Sequence, residues 1–301
     1  MDDRDLVKVV ADVIGADRTA DDCAVIPFGD EVLVLSTDML HETTDFPVGM
    51  TDYERGWMAA AVTISDIASM GAAPVALVLA AGLDRPERLR GITTGADDCC
   101  TEYGCQLVGG DVDAHDECTL VSTGLGRVAA KHLVRRTGAV PGDVVGVVGA
   151  CGCAQAGLDG FPDHWKALVM PRPRVREGQA LGTAGATAMM DISDGLALSL
   201  HDLAAASGVG IEVLMKGVPL PAGVPEPAAS QYALFGGGDF GLLFTCPPAC
   251  WPAPGVDGVI IGRVVEGAGV LLDGKPLPAR GYAHRWDGGD GYDDGNAVHS
   301  G

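Results

Sequence analysis

Apolar residues first recur at helical spacing at Leu6, Val9, Val10, Val13 and Ile14, and Gly15 supplies a stop. Residues 31–35 then read as a buried strand that runs directly into Ser36, Thr37 and Asp38. Thr51-x-x-Glu54 has the pattern of a capping box, in which each end residue bonds the other's backbone N–H. It opens a long helix through Trp57, Ala61, Ile64 and Ala68 to Gly71, with Asp66 inside it. A strand over 75–82 and a helix over 86–103 follow, and Gly104 closes the helix. Residues 106–108 lead as a strand into Gly109-Gly-Asp111, with further strands over 119–128 and 144–148. Beyond the turn at 139–143, the pattern predicts helices over 175–183 and 195–207. It predicts strands over 188–192, 210–214, 242–245, 259–265 and 270–272. Helices and strands mix without strict βαβ alternation, so the expected class is α+β rather than doubly wound. The expected domains are 1–140 and 141–286, followed by a polar, mobile tail over 287–301.

Composition narrows the function classes. The chain of 301 residues carries 41 acidic against 20 basic side chains, a net charge of −21. Nucleic-acid binders need clustered Lys and Arg to displace counterions, so nucleic acid is excluded as a partner, and an anionic membrane surface with it. No run approaches the ~18 apolar residues of a membrane span. The acidic opening Met1-Asp-Asp-Arg-Asp5 lacks an apolar signal core, and a cytoplasmic location is expected. Nine cysteines without an export signal read as reduced thiols that act as small buried hydrophobes.

Acidic residues stand where apolar runs begin, end or turn. Asp21 and Asp22 precede Ala24-Val-Ile26, Asp38 ends the first strong strand, and Asp111 follows two glycines. Asp191 and Asp194 bracket Ser193 at a strand-to-helix turn. Any one of these could be an ordinary N-cap or turn former. Asp66 differs, because it follows Thr63-Ile-Ser65 inside a helix where no cap is needed. Dispersed single carboxylates gathered by folding suit Mg²⁺, which takes carboxylate, water and phosphate oxygens.

Gly109-Gly110 and Gly236-Gly-Gly238 allow a backbone to approach a ligand closely, and equally allow a tight turn with none. Arg135-Arg136 could neutralise phosphate or form a solvated surface pair. No phosphate-binding Gly-x₄-Gly-Lys-[Ser/Thr] loop occurs, and the seven scattered histidines form no nucleophilic constellation. Gly124-Leu-Gly126-Arg-Val-Ala129 matches a loose dinucleotide pattern but continues a strand, and is set aside.

Six segments in register resemble one family. They are Asp21-Asp-Cys-Ala-Val-Ile26, Ser36-Thr-Asp38, Ser65-Asp-Ile-Ala-Ser-Met-Gly-Ala-Ala-Pro74, Gly109-Gly-Asp111, Met190-Asp-Ile-Ser-Asp-Gly-Leu196 and Gly236-Gly-Gly-Asp-Phe-Gly-Leu-Leu-Phe-Thr245. Together they resemble thiamine-monophosphate kinase, of the aminoimidazole ribonucleotide synthetase superfamily. The resemblance implies a two-domain fold whose N-terminal domain forms a β-barrel with its mate in a homodimer, beside a C-terminal α/β domain. It implies ATP as co-substrate, Mg²⁺ as cofactor and thiamine monophosphate as acceptor. Carried over by motif, Asp22, Ser36, Thr37, Asp38, Asp66, Asp111, Asp191 and Asp194 would hold Mg²⁺. Gly110, Asp111, Arg136 and Ser193 would contact the nucleotide. No general base is implied, because the acceptor phosphate is already ionised at neutral pH.

Three departures fall on the acceptor side. The family's Gly-Gly-Glu-Asp-Tyr-Glu stands here as Gly236-Gly-Gly-Asp-Phe-Gly241, so Gly238 and Gly241 replace two carboxylates. Asp45 stands where many members place a substrate-contacting His, and Val112-Asp-Ala-His115 follows Asp111 in place of Thr-Thr-Arg. Tyr282 matches an aromatic that packs on the substrate, so Asp45, Gly238 and Tyr282 are the expected acceptor residues. The alternatives are another ATP-dependent enzyme of the superfamily with a different phosphorylated acceptor, or a nucleotide-binding protein without catalysis.

Overall fold

The computed structural model describes residues 3–283 and 291–292. The first half contains helix α1 (Asp3–Ile14), strands β1 (Ala24–Phe28) and β2 (Glu31–His41), and helix α2 (Asp52–Ser69). Strand β3 (Ala73–Leu83), helix α3 (Arg88–Glu102) and strands β4 (Gln106–Ala114) and β5 (Thr119–Ala129) complete it. The sheet order is β1-β2-β5-β3-β4, and only β3 and β4 run parallel. That parallel pair needs a crossover, which α3 supplies.

Period-two alternation assigns the faces of this sheet. Along β2, Val32, Val34 and Ser36 are buried, whereas Leu35, Thr37 and Met39 are exposed. Helix α2 covers the inner face. Its expected capping box is present, with the Thr51 hydroxyl accepting from Glu54 N–H and the Glu54 carboxylate accepting from Thr51 N–H. Nearly every residue from Met58 to Ser69 is buried. A Cβ on Gly124 would stand 2.8 Å from Thr63 Cγ2 and 2.9 Å from Ile67 Cδ1. Glycine in the middle of β5 therefore lets α2 lie against the sheet, which gives this Gly-x-Gly a packing role.

The second half holds β6 (Val144–Val148), α4 (Cys153–Leu158), α5 (Trp165–Val169), α6 (Val175–Ala184), β7 (Ala188–Ile192) and α7 (Leu196–Ser207). After these come β8 (Gly210–Val213), α8 (Ala228–Phe235), β9 (Gly241–Cys246), β10 (Gly258–Val265), β11 (Gly269–Leu272) and β12 (Lys275–Pro276). Their sheet order is β12-β11-β8-β10-β6-β9-β7, with β8 and β11 parallel and the other pairs antiparallel. Two mixed sheets with helices make the chain α+β, as its irregular alternation predicts. Helices α4, α5 and α8 carried no periodic signal, because five to eight residues span too few turns for a 3.6-residue period to register. The expected tail over 287–301 lies outside the described residues except for β14 (Gly291–Tyr292), which pairs with β13 (Tyr282–Ala283).

The halves share a core. Val169 and Val175 join Phe46, Met50, Ile64 and Leu77 in one buried cluster. A Cβ on Gly178 of α6 would lie 2.1 Å from Ala68 O, so α6 sits directly on α2. The nine cysteines are free, and seven are buried, as hydrophobic packing predicts. No helix among the described residues is long and apolar enough to cross a membrane.

Candidate active site

Helix α2 carries a polar stripe on an otherwise apolar body, and the hydroxyls of Thr63, Ser65 and Ser69 on it each meet a carboxylate from another segment. Thr63 Oγ1 donates to Asp38 Oδ2 of β2 at 2.6 Å. Ser65 Oγ donates to Asp191 Oδ2 of β7 at 2.8 Å. Ser36 Oγ donates to Asp66 Oδ2, and Ser69 Oγ lies 2.5 Å from Asp22 Oδ2. The hydroxyls at 63, 65 and 69 had no assigned role in the sequence reading. Their signal was the presence of Ser and Thr in a buried helix interior, where they are favoured only if bonded.

Asp22, Asp66 and Asp191 each bring a carboxylate oxygen to within 4.8 Å of the other two. Opposed ligands of an octahedral Mg²⁺ stand about 4.2 Å apart, twice the ~2.1 Å metal–oxygen distance. Three hard oxygens gathered this closely suit Mg²⁺, which would draw them further together. It is the one such cluster among the described residues.

Electrostatics mark the same place. Burial raises the Asp66 carboxyl well above its usual range, Asp38, Asp191 and Asp22 push it further, and the Ser36 hydrogen bond pulls it back. Burial also raises Asp191 strongly and Asp22 adds to it, against the hydrogen bond from Ser65 and the charge of Arg136. Asp38 is raised by burial, against the Thr63 hydrogen bond. Clustered carboxylates that resist ionisation are relieved by a cation. Cys23, beside them, is pushed up by burial and these acids, so it stays a neutral thiol.

Arginines close one side of the cluster. Arg136 Nε donates to Asp22 Oδ1 at 2.7 Å, joined by Nη2. The Arg136 backbone N–H and Arg135 Nη1 bind Asp21 at 3.0 and 2.5 Å. Asp21, which had no role from sequence, thereby anchors the segment that presents Arg136.

The turn after β7 gathers a second group. Gly238 N–H donates to Ser193 O at 2.7 Å, and Tyr282 N–H donates to Asp194 O at 3.0 Å. Arg4 of α1 lies 3.4 Å from the Asp194 carboxylate. Gly238 has φ +87°, and its N–H is already used, so this glycine shapes the turn instead of offering a free donor. Next to it Asp239 accepts from Gly152 N–H and Ala154 N–H at 2.5 and 2.9 Å. Burial pushes its pKa up to about 6, against those bonds. Asp239 is thus a further residue to which the sequence motif assigned no role, although it lies within Gly236–Gly241.

Other expected residues lie apart. Thr37 Oγ1 points to the outer face of the first sheet, 3.1 Å from Ser122 O and 2.9 Å from Thr123 Oγ1. Asp111 is exposed on β4 and pairs in register with Ala80, on that same outer face. Neither side chain joins the Asp22–Asp66–Asp191 cluster within one chain. Gly110 is required by strand pairing, since a Cβ there would stand 1.8 Å from Leu79 O. Asp45 sits in the loop after β2, where its Oδ2 accepts from His41 N–H at 2.7 Å and Thr44 Oγ1 at 2.8 Å.

Comparison with known proteins agrees with this layout. Residues 20–128 match the AIR synthase related protein N-terminal domain, and residues 141–250 match the C-terminal domain of the same name. The thiamine-monophosphate kinase of Methanospirillum hungatei is 51% identical over 286 residues, covering 95% of this chain and 100% of that protein. That of Halobacterium salinarum is 41% identical, covering 94% of this chain and 100% of that one. A solved structure described as AaThiL complexed with AMPPCP and TMP superposes with a TM-score of 0.88 at 30% identity, covering 94% of this chain and 97% of that one. With both domain models matched and full-length relatives at this identity, the chain belongs to the thiamine-monophosphate kinase family.

Proposed function

We propose that this protein transfers the γ-phosphoryl group of ATP in line to the phosphate of thiamine monophosphate, yielding thiamine diphosphate and ADP. The observation that carries the reading is the carboxylate cluster of Asp22, Asp66 and Asp191, packed against serine hydroxyls and suited to holding a hard cation. Such a site suits a reaction whose nucleophile is already an anion. An acceptor phosphate oxygen forms the new bond to the γ-phosphorus as the bond to the bridging oxygen of ADP breaks, and no proton has to be removed first.

Asp22, Asp66 and Asp191 would hold Mg²⁺, with Asp38, Ser36 and Asp194 at its margin; when bound it neutralises triphosphate charge. Arg136 binds Asp22 and holds its carboxylate in place. Ser193 shapes the β7–α7 turn through its bond with Gly238, beside Tyr282. At Asp45 both hydrogen bonds fall on Oδ2, which leaves Oδ1 to face the cationic thiazolium ring.

The working unit is a homodimer. Leu35 and Met39 of β2 and Val78 of β3 are exposed on the outer face of the first-half sheet. A second copy laid on the outer face covers apolar surface that a lone chain would leave wet. Thr37 and Asp111 then lie in the interface, so their assigned roles require a site that the two copies share.

The deciding assay measures ADP and thiamine diphosphate formed from ATP, Mg²⁺ and thiamine monophosphate, with unphosphorylated thiamine as control. Equal amounts of both products are expected with thiamine monophosphate only. ATP binding without turnover of thiamine monophosphate would replace the kinase reading with that of a nucleotide-binding protein.

A further inference from the structure

Arg174 follows Pro171-Arg-Pro173 at the start of α6, and its surroundings fix it firmly. Pro171 and Pro173 are buried, and the Pro171 carbonyl accepts from Trp57 Nε1 at 3.0 Å. The Arg174 carbonyl accepts from Gly178 N–H at 2.8 Å, at the point where α6 rests on α2. The side chain lies across Gly149, at the end of β6. A Cβ on Gly149 would be 3.1 Å from Nη2, 3.2 Å from Nε and 3.4 Å from Cζ of this arginine.

The guanidinium has no anion of its own. Its Nε is buried without a hydrogen-bond partner, and it forms no ion pair among the described residues. In a chain of net charge −21 acidic side chains are abundant, yet none of those described pairs with this half-buried cation. Taking a cation partly out of water costs free energy unless an anion offsets it.

Strand register places this cation relative to the carboxylates. Val148, next to Gly149, pairs with Leu242, and Leu242 pairs with Asp191. Gly149 and Asp191 thus stand on one edge of the sheet about two strand spacings apart, roughly 10 Å. The loop after Gly149 is tied to Asp239 through Gly152 and Ala154, beside Gly238. Val175, the next residue, packs in the cluster that holds Phe46 and Met50, from the Asp45 loop. Arg174 therefore lies at the same end of the second sheet as Asp191, and the residue after it shares a core with the loop that follows Asp45.

We propose that Arg174 binds the phosphate of the acceptor, a phosphate monoester, and turns one of its oxygens toward the γ-phosphoryl group. The inference rests on the kinase reading above and adds a residue to it. A planar guanidinium matches two phosphate oxygens at once, which a point charge does not. Carboxylates with their cation hold the donor phosphates, and this fork holds the attacking one.

The test compares wild type with Arg174→Ala, Arg174→Gln and Arg174→Lys. Titration calorimetry measures binding of thiamine monophosphate and of unphosphorylated thiamine, each with Mg²⁺ and a non-hydrolysable ATP analogue present. The Ala and Gln variants should bind thiamine monophosphate about ten- to a hundredfold more weakly, the range for a charge-assisted contact, with thiamine binding unchanged. Lys should restore part of the loss. The KM for ATP should stay within about twofold, and an unchanged affinity for the analogue certifies the fold. Equal losses for thiamine and thiamine monophosphate, or a loss confined to ATP, would overturn the assignment. Wild type that turns over thiamine monophosphate beside an unaltered Arg174→Gln would sink this proposal alone. Wild type that turns over none would sink the kinase reading beneath it.

Discussion

Replacing Asp66 by Asn separates a metal cluster from a merely structural one, because the two roles give opposite signs. In the metal-free protein Asp66, Asp22 and Asp191 share a space at most 4.8 Å across. Two full charges at that distance repel by about 3.5 kcal/mol at an effective dielectric constant of ~20. Proton uptake relieves part of this, since the Asp66 carboxyl is raised well above its ordinary 3.8. Asn removes the charge and keeps an oxygen that accepts from Ser36. Asp66→Asn should therefore stabilise the metal-free protein by about 1–2 kcal/mol, or roughly 2–5 °C in Tm.

The sign with pH follows from the raised carboxyl. The folded state retains a proton that the unfolded chain releases, so this site's cost grows as pH rises from 3.8 through its folded value and is complete above it. The stability difference, variant minus wild type, should be near zero at the acid end and widen toward neutral pH. Mg²⁺ should raise the Tm of wild type and leave the variant nearly unmoved. Thermal unfolding with EDTA and with Mg²⁺, across this pH range, measures both effects. A variant less stable than wild type without metal, and still stabilised as much by Mg²⁺, would refute the reasoning.

Asp38→Asn and Asp111→Asn should each lower kcat about 100-fold or more with the circular dichroism spectrum unchanged, and near-normal kcat in either removes it from the metal set. Asp45→Ala should raise the KM for thiamine monophosphate about five- to tenfold with the KM for ATP and kcat nearly constant. A large fall in kcat at unchanged KM would instead make Asp45 a transition-state contact. Val78→Asp puts like charges on the exposed sheet face of both copies, so sedimentation should show monomers with little change in Tm, and a persisting dimer would put the interface elsewhere.

Much of the site was legible in local pattern. The Thr51–Glu54 box, the apolar body of α2 and the strand ending at Asp38 are signals within one element, and each formed as its residues dictate. Asp66 stood out because a carboxylate in an apolar helix has no local partner. Its partners Ser36, Asp22 and Asp191 come from residues 30 to 125 positions away, which no periodicity reports. Thr37 shows the opposite case. It sits between Ser36 and Asp38 in one motif, yet strand pleating turns it to the other face of the sheet.

Arg174 carries no motif signal at all. Its meaning lies in the missing carboxylate around it, and only the packing of α6 on α2 beside Gly149 reveals that. The sequence by itself determined which elements form, because propensity, capping and period act over a few residues. It also determined that hard-cation chemistry was available, because the side chains that supply it are written in the chain. Tertiary structure decided which of those acids meet, which face the outer side and where Arg174 comes to lie. Those outcomes depend on distances between segments far apart in sequence, and these exist only once the sheets and helices have packed.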